Sequence, residues 1–319
     1  MTGGASRKTY GYIPPHEALA LLGSEIRAKI LLTLSEARGG AGPPPILSFS
    51  ELRSAIDSDV DSGGFNYHLQ QLTGTFVERV EPTDSRDDAQ VVSEMADVSK
   101  EGFRLRPEGT TLIRIVRAWT TTGEESIDPF EIGLDCYHCE APVTAEYRNA
   151  LFVVQCGHCE YLYDYNLTPP GILGGDSEAI LDRVAEYNRT HRLAFARGHC
   201  PLCGSNVNVE FQDSSETAYP RRDLRSVLIQ RGCRHCGNKD TLTVGETMLG
   251  DAELIGFCHR HGLEVTTTPI WELEFAATDR GVSVRSKDPW EVLLSVSVDG
   301  HTLELVVDSS LSVLERNRK

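Results

Sequence analysis

Eight of the nine cysteines stand in four Cys-x-x-Cys pairs: Cys136/Cys139, Cys156/Cys159, Cys200/Cys203 and Cys233/Cys236. Two thiolates two residues apart grip one edge of a metal tetrahedron from a tight turn, so two such knuckles close one four-thiolate site. The chemistry expected is therefore two structural zinc ions per chain, with no ligand position left open for catalysis. Iron also accepts four sulfurs at tetrahedral corners and is the competing ion. Three knuckles carry residues that suit a sharp reversal, as in Cys156-Gly-His-Cys, Cys200-Pro-Leu-Cys-Gly and Cys233-Arg-His-Cys-Gly; Cys136-Tyr-His-Cys is less typical.

Disulfide and redox readings are weaker. No apolar signal segment opens the sequence, so a reducing cytoplasm is expected, and a thioredoxin-type motif would occur once at the head of a helix. His138, His158, His199 and His235 lie within or beside knuckles, but eight thiolates need no help. Sequential pairing of the knuckles follows the order of a hairpin. A crossed pairing of Cys156/Cys159 with Cys200/Cys203 stays open.

These sites need elements to hold them, and the sequence offers a duplicated one. Sixteen residues separate Cys139 from Cys156, with β-rich runs at 143–147 and 151–154, the order of a zinc ribbon; 29 residues separate Cys203 from Cys233, with runs at 207–211 and 226–230. A helix follows each set, beginning near Asp176 and near Glu246. A shift of 70 residues superimposes Tyr187-Asn-Arg-Thr-His191-Arg-Leu193 on Phe257-Cys-His-Arg-His261-Gly-Leu263, which implies a repeated ribbon-plus-helix unit. Cys258 falls on an apolar helical position and is expected to be a buried free thiol. Alternating runs at 270–275, 282–284, 292–298 and 303–307, with Asp299-Gly300 as a hairpin turn, predict a closing antiparallel sheet anchored by Trp271 and Trp290.

The amino-terminal third reads differently. Leu19, Leu22, Ile26, Ile30 and Leu34 mark one face of a long helix over 16–37, stopped by Gly39-Gly-Ala-Gly-Pro-Pro-Pro45. Ser48 and Glu51 form a capping box for a short helix. Phe65, Leu69, Leu72 and Phe76 then recur at helical spacing and leave Asn66, Tyr67, His68, Gln70 and Gln71 to face outward. Residues 62–77 carry no Asp, Glu, Lys or Arg, as a helix approaching a phosphate backbone requires. A β-rich stretch, with strands expected over 77–80, 91–98 and 103–105 and a polar tip at 82–90 containing Arg86, precedes a helix from Pro107. Its Leu112, Ile113, Ile115, Val116 and Trp119 spread over more than one face, so a second subunit is an expected partner. Helix, short helix, polar helix, hairpin and helix is the order of a winged helix-turn-helix.

Leu22-Gly-Ser-Glu-Ile-Arg-Ala-Lys-Ile-Leu-Leu-Thr-Leu34, Leu47-Ser-Phe-Ser-Glu-Leu-Arg53, Gly64-Phe-Asn-Tyr-His-Leu-Gln-Gln-Leu72 and Gly102-Phe-Arg-Leu-Arg-Pro-Glu-Gly109 resemble the ArsR-type winged-helix regulators, particularly haloarchaeal ones. That resemblance implies double-stranded DNA contacts from Asn66, Tyr67, His68, Gln70, Gln71 and Arg86, and a homodimer through the first and last helices. Members that sense metals place cysteines in these helices; here the first cysteine is Cys136, so that sensor is missing.

Charge bounds the rest. The 319 residues hold 31 Lys and Arg against 47 Asp and Glu, a net charge of −16, with 13 basic and 18 acidic groups in residues 1–125. Six lysines against 25 arginines resemble the balance in proteins of salt-loving archaea. No apolar run approaches a membrane span. No nucleophile with its base, phosphate loop or open metal position appears, so no enzyme is expected.

The expectation is an α+β chain: an amino-terminal winged helix-turn-helix over 14–122, ribbon-plus-helix units over 130–197 and 198–265, and a small carboxyl-terminal antiparallel sheet over 266–316. Its function would be DNA-binding transcription regulation, with a protein or small-molecule effector at the carboxyl-terminal region. The alternative is a zinc-ribbon adaptor for proteins that keeps the winged helix for dimerisation.

Overall fold

A computed structural model describes residues 13–37, 45–56, 59–81, 100–120 and 126–319. The chain divides into two compact units, residues 1–121 and 122–319. Among the described residues it is a mixed α and β protein with four small antiparallel sheets.

The first unit runs α1 (Pro15–Leu22), α2 (Glu25–Glu36), α3 (Phe49–Ser54), α4 (Ser62–Leu72), β1 (Val77–Val80), β2 (Gly102–Leu105) and α5 (Pro107–Trp119). The single helix expected over 16–37 is two. Ser24 adopts an extended backbone at the N-cap of α2, and Gly23 ends α1. The Arg27 guanidinium donates to the carbonyls of Ala20 and Leu21 at the end of α1, where Ala20 also accepts the Gly23 amide at 3.3 Å. Ile30, Leu31 and Leu34 of α2 pack with Leu52, Phe65, Leu69, Leu72, Phe103, Leu105 and Ile113 in one core. The capping box forms: the Glu51 amide donates to Ser48 Oγ at 3.2 Å, and the Ser48 amide donates to Glu51 Oε2 at 2.7 Å. β1 pairs antiparallel with β2, and Leu47 bridges to Phe103. The polar tip at 82–90, with Arg86, and the strand expected over 91–98 lie outside the described residues.

The second unit opens with a sheet of β3 (Ser126–Asp135), β4 (Pro142–Arg148), β5 (Leu151–Cys156) and β6 (Leu162–Leu167), paired in that order. The helix α6 (Ser177–Ala196) covers it, started by Asp176, whose carboxylate accepts from the Ala179 amide. Then come β7 (Val207–Asp213), β8 (Val227–Cys233) and β9 (Lys239–Leu242), followed by α7 (Val244–Thr247) and α8 (Ala252–Arg260). The helix expected from Glu246 to His261 is therefore interrupted: residues 248–251 separate its halves, and Asp251 caps α8 through the amides of Glu253 and Leu254. A sheet of β10 (Val282–Lys287), β11 (Trp290–Val298), β12 (His301–Asp308) and β13 (Val313–Arg318) closes the chain, with Asp299 and Gly300 both left-handed in the β11–β12 turn.

Two cores organise this unit. Val143, Tyr147, Phe152, Val154, Tyr161, Ile180 and Val184 fill the first; Phe211, Val227, Ile229, Leu254, Phe257, Val292, Leu294, Leu303 and Leu305 fill the second. Residues 270–275 alternate like a strand, yet they form a 3-10 turn (Ile270–Glu272) and enter α9 (Glu274–Ala277). The physical reason is that the segment serves both cores at once. Trp271, 2 % exposed, and Ala277 belong to the first core, whereas Ile270, Leu273, Phe275 and Ala276 belong to the second. A helical path distributes side chains in this way; a strand lying on one sheet does not.

Candidate functional site

The four knuckles share one backbone device. In each, the amide of the first cysteine is bonded to the carbonyl five residues on: Cys136 to Ala141, Cys156 to Tyr161, Cys200 to Ser205 and Cys233 to Asn238, at 2.8–2.9 Å. The fifth residue of each turn is left-handed: Glu140 at φ 61°, Glu160 at 58°, Gly204 at 72° and Gly237 at 77°. Glycine reaches that conformation without a Cβ clash, so the second pair of knuckles closes without strain while the first pair bends glutamates into it.

These turns gather the thiols into two groups, Cys136, Cys139, Cys156 and Cys159, and Cys200, Cys203, Cys233 and Cys236, each with its sulfurs within 4.8 Å of one another. The sequential pairing is therefore the one the fold adopts, and the crossed pairing is not. Sulfur separations are 3.7 Å for Cys136/Cys159 and 3.5 Å for Cys139/Cys156, Cys200/Cys236 and Cys203/Cys233. A disulfide needs about 2.05 Å. Four sulfurs bonded at about 2.3 Å to one tetrahedral ion lie roughly 3.8 Å apart. Donor set and spacing thus fit one thiophilic metal ion per group.

The surroundings of the two groups differ. In the first, Tyr163 donates its hydroxyl to Cys136 Sγ at 3.2 Å and accepts the Tyr137 amide at 2.9 Å, while the amides of His138, His158 and Cys159 donate to sulfur at 3.4 Å. Burial pushes the Cys136 thiol up, but the Tyr163 hydroxyl and the neighbouring amides outweigh it and bring the thiol down to about 7. Such donors spread the charge that four thiolates bring to a metal. In the second group Cys203 and Cys236 are exposed, and Asn238 is a side-chain donor toward Cys200 Sγ at 3.7 Å. Cys258 belongs to neither group. It is fully buried in the second core, where burial pushes its thiol up to about 11.

In the first unit α4 buries Phe65, Leu69 and Leu72 and exposes Asn66, Tyr67, Gln70 and Gln71; Tyr67 is 59 % accessible. Asp61 caps the helix, accepting the Gly64 amide at 2.7 Å. His68 sits apart from the exposed set, half-buried, with Nδ1 3.5 Å from Ser24 Oγ. Asn66 and Gln70 border an open cavity of about 460 Å³ with Ser48, Ser50 and Arg79.

Composition did not reveal a buried polar cluster built on α6. Arg192 lies between Asp164 of β6 and Glu246 of α7, bonded to both carboxylates, and Asn188 donates to Asp164 at 2.8 Å. Arg189 donates to the carbonyls of Val265 and Thr268 at 2.7 and 2.5 Å. Burial pushes the Glu246 carboxyl up to about 7 against the pull of Arg192. The sequence signal was periodicity: Asn188, Arg192 and Phe195 continue the buried face of Ile180 and Val184. This cluster ties α6 to β6, to α7 and to the segment at 265–268.

No curated protein and no solved structure matches the chain. Residues 15–116 match the family described as Domain of unknown function (DUF7347). Residues 133–313, more than half of the chain, match the family described as Domain of unknown function (DUF7351), and the chain belongs to that family.

Proposed function

We propose that this protein is a homodimeric transcription regulator that reads double-stranded DNA through α4, with two structural zinc ions in its second unit. On this reading the first unit is a winged helix-turn-helix of the ArsR type and each cysteine group closes a zinc ribbon. The observation that carries the reading is the outward face of α4. Asn66, Tyr67, Gln70 and Gln71 offer amide and hydroxyl groups that can exchange two hydrogen bonds with a base edge, on a helix free of carboxylates in a chain of net charge −16. Exposed Leu19 on α1 and Ile115, Val116 and Trp119 on α5 supply apolar surface for a second copy.

Zinc supplies no reaction here. It replaces a hydrophobic core that such short hairpins are too small to build, and four thiolates leave it no open coordination position. Elemental analysis is expected to return two zinc ions per chain; iron, or one ion, refutes the metal assignment. Genome-wide footprinting in the native host tests the DNA reading. A two-fold symmetric footprint that disappears on replacing Asn66, Tyr67 and Gln70 with Ala supports it. Diffuse occupancy indifferent to those changes favours the adaptor instead.

A further inference from the structure

The outer face of the β7–β8–β9 sheet carries a cleft that the metal groups and α4 leave unexplained. One cavity of about 350 Å³ is lined by Asn208, Glu210, Gln230, Arg234, Lys239 and Asp240 and reaches Cys233 of the second thiol group. A second of about 460 Å³ is lined by Val153, Leu162, Tyr219, Pro220 and Leu228. Both include Tyr165, Gln230 and Thr241, so they form one continuous cleft. Strand register explains its floor: Gln230 pairs with Glu210 and Thr241, Gly232 with Asn208 and Lys239, and Leu228 with Gln212, which places these residues on a common face.

The two ends differ in chemistry. At the apolar end the Tyr165 and Tyr219 rings lie 6.4 Å apart, and the Arg225 guanidinium sits 5.1 Å from the Tyr219 ring centre, fixing that ring. At the polar end three cations gather beside Glu210, Asp240 and Cys233 of the second thiol group. Most cations of the second unit face a carboxylate, as Arg280, Arg285, Lys287, Arg316, Arg318 and Lys319 do. Among the described residues Arg231, Arg234 and Lys239 form no ion pair; Arg148, Arg183, Arg197, Arg222 and Arg260 form none either, but only the first three gather at one place, bordering this cleft. Arg231 is 3 % exposed, and its Nε and Nη1 have no hydrogen-bond partner. A buried guanidinium beneath the floor, with two nitrogens free of hydrogen bonds, favours an anion in the cleft, since little water screens it. Two acidic groups line the cavity: Glu210, whose carboxylate accepts from Gln212, and Asp240, whose carboxyl accepts the Thr241 amide and is pushed up by burial toward its neutral form.

We propose that this cleft binds a small aromatic anion, its ring system against Tyr165 and Tyr219 and its acidic group toward Arg234 and Lys239. The combined volume suits a ligand of that size, and an apolar body with few convergent polar groups is the usual make-up of such sites. The site stands on the second unit alone and does not depend on the DNA reading.

Titration of the metal-loaded full chain with 1-anilinonaphthalene-8-sulfonate, a fluorescent aromatic sulfonate, tests it. One saturable site per chain is expected. Lys239→Glu should weaken binding at least tenfold, and Gln230→Trp, which fills the cleft from an exposed floor position, should abolish it. Arg148→Glu, an exposed cation on another sheet, should leave affinity within twofold. Each variant is first checked for unchanged metal content and circular dichroism. Absence of saturable binding, survival of binding in Gln230→Trp, indifference to the charge at 239, or an equal loss in Arg148→Glu each overturns the proposal.

Discussion

On the proposed DNA-binding reading, replacing Arg53 or Asn66 separates two kinds of contact expected of α3 and α4. Most cations of the first unit are already engaged internally. Arg79 pairs with Glu101, Arg104 with Glu78, Arg106 with Glu108, Lys29 with Glu25 and Arg117 with Glu36, while Arg27 holds backbone carbonyls. Arg53 on α3, Lys100 beside β2 and Arg114 on α5 are not ion-paired among the described residues, and Arg86 adds one further cation outside them; with α5 proposed for the dimer, Arg53, Lys100 and Arg86 are left to meet phosphate. Three phosphate contacts per protomer give about six for a dimer. At roughly −0.9 per contact, log affinity should fall against log salt with a slope of about −5. Arg53→Ala removes two contacts from the dimer, so the slope should flatten by roughly 2 and all sequences should lose affinity alike. Asn66→Ala should leave the slope unchanged and cost about 1–3 kcal/mol per half-site on the cognate sequence alone. Fluorescence anisotropy of labelled duplexes, cognate and scrambled, across a salt series measures both quantities. A wild-type slope steeper than about −8, or an Asn66→Ala loss equal on cognate and scrambled DNA, would refute the reasoning, because affinity would then come from phosphates that α4 does not select.

Three further outcomes are expected. Glu140→Gly and Glu160→Gly should each stabilise the metal-loaded chain by about 0.5–1 kcal/mol in urea unfolding, the relief of a left-handed glutamate exceeding glycine's entropy cost, whereas Gly204→Ala and Gly237→Ala should destabilise it. Chelation should proceed in two phases, the exposed Cys200–Cys236 group losing its ion first; simultaneous release, followed with a metallochromic dye, contradicts the difference in burial. Because folding raises the Glu246 carboxyl above its ordinary value of 4.5 to about 7, its contribution to stability is fully present below pH 4.5 and is lost as pH rises to 7. Glu246→Gln should remove that component, so the stability difference between variant and wild type should shift in the variant's favour across this window. A pH-independent difference by thermal unfolding would exclude it.

Local patterns were readable wherever a residue's partners lie close in sequence. The Ser48–Glu51 capping box, the Asp299–Gly300 turn and the start of α6 at Asp176 all depend on neighbours within three or four positions. The break between α1 and α2 was equally local, carried by Gly23 and Ser24, but an unbroken apolar period across 16–37 concealed it. Residues 270–275 depart from their strand-like pattern for a different reason. Their alternation satisfies a strand and is satisfied equally by a turn whose successive residues enter opposite cores, and spacing alone does not distinguish the two.

The sequence by itself determined that eight cysteines act as four knuckles, since a chelating turn is complete within six residues, and it singled out the uncharged helix that exposes Asn66 and Gln70. Only the tertiary structure decided which knuckles share a group, how deeply each is buried, and that Arg192 bonds Asp164 and Glu246 from elements 28 and 54 residues away. Those outcomes depend on which surfaces exclude water from one another. Burial of that kind is a property of packed elements, and no window along the chain contains it.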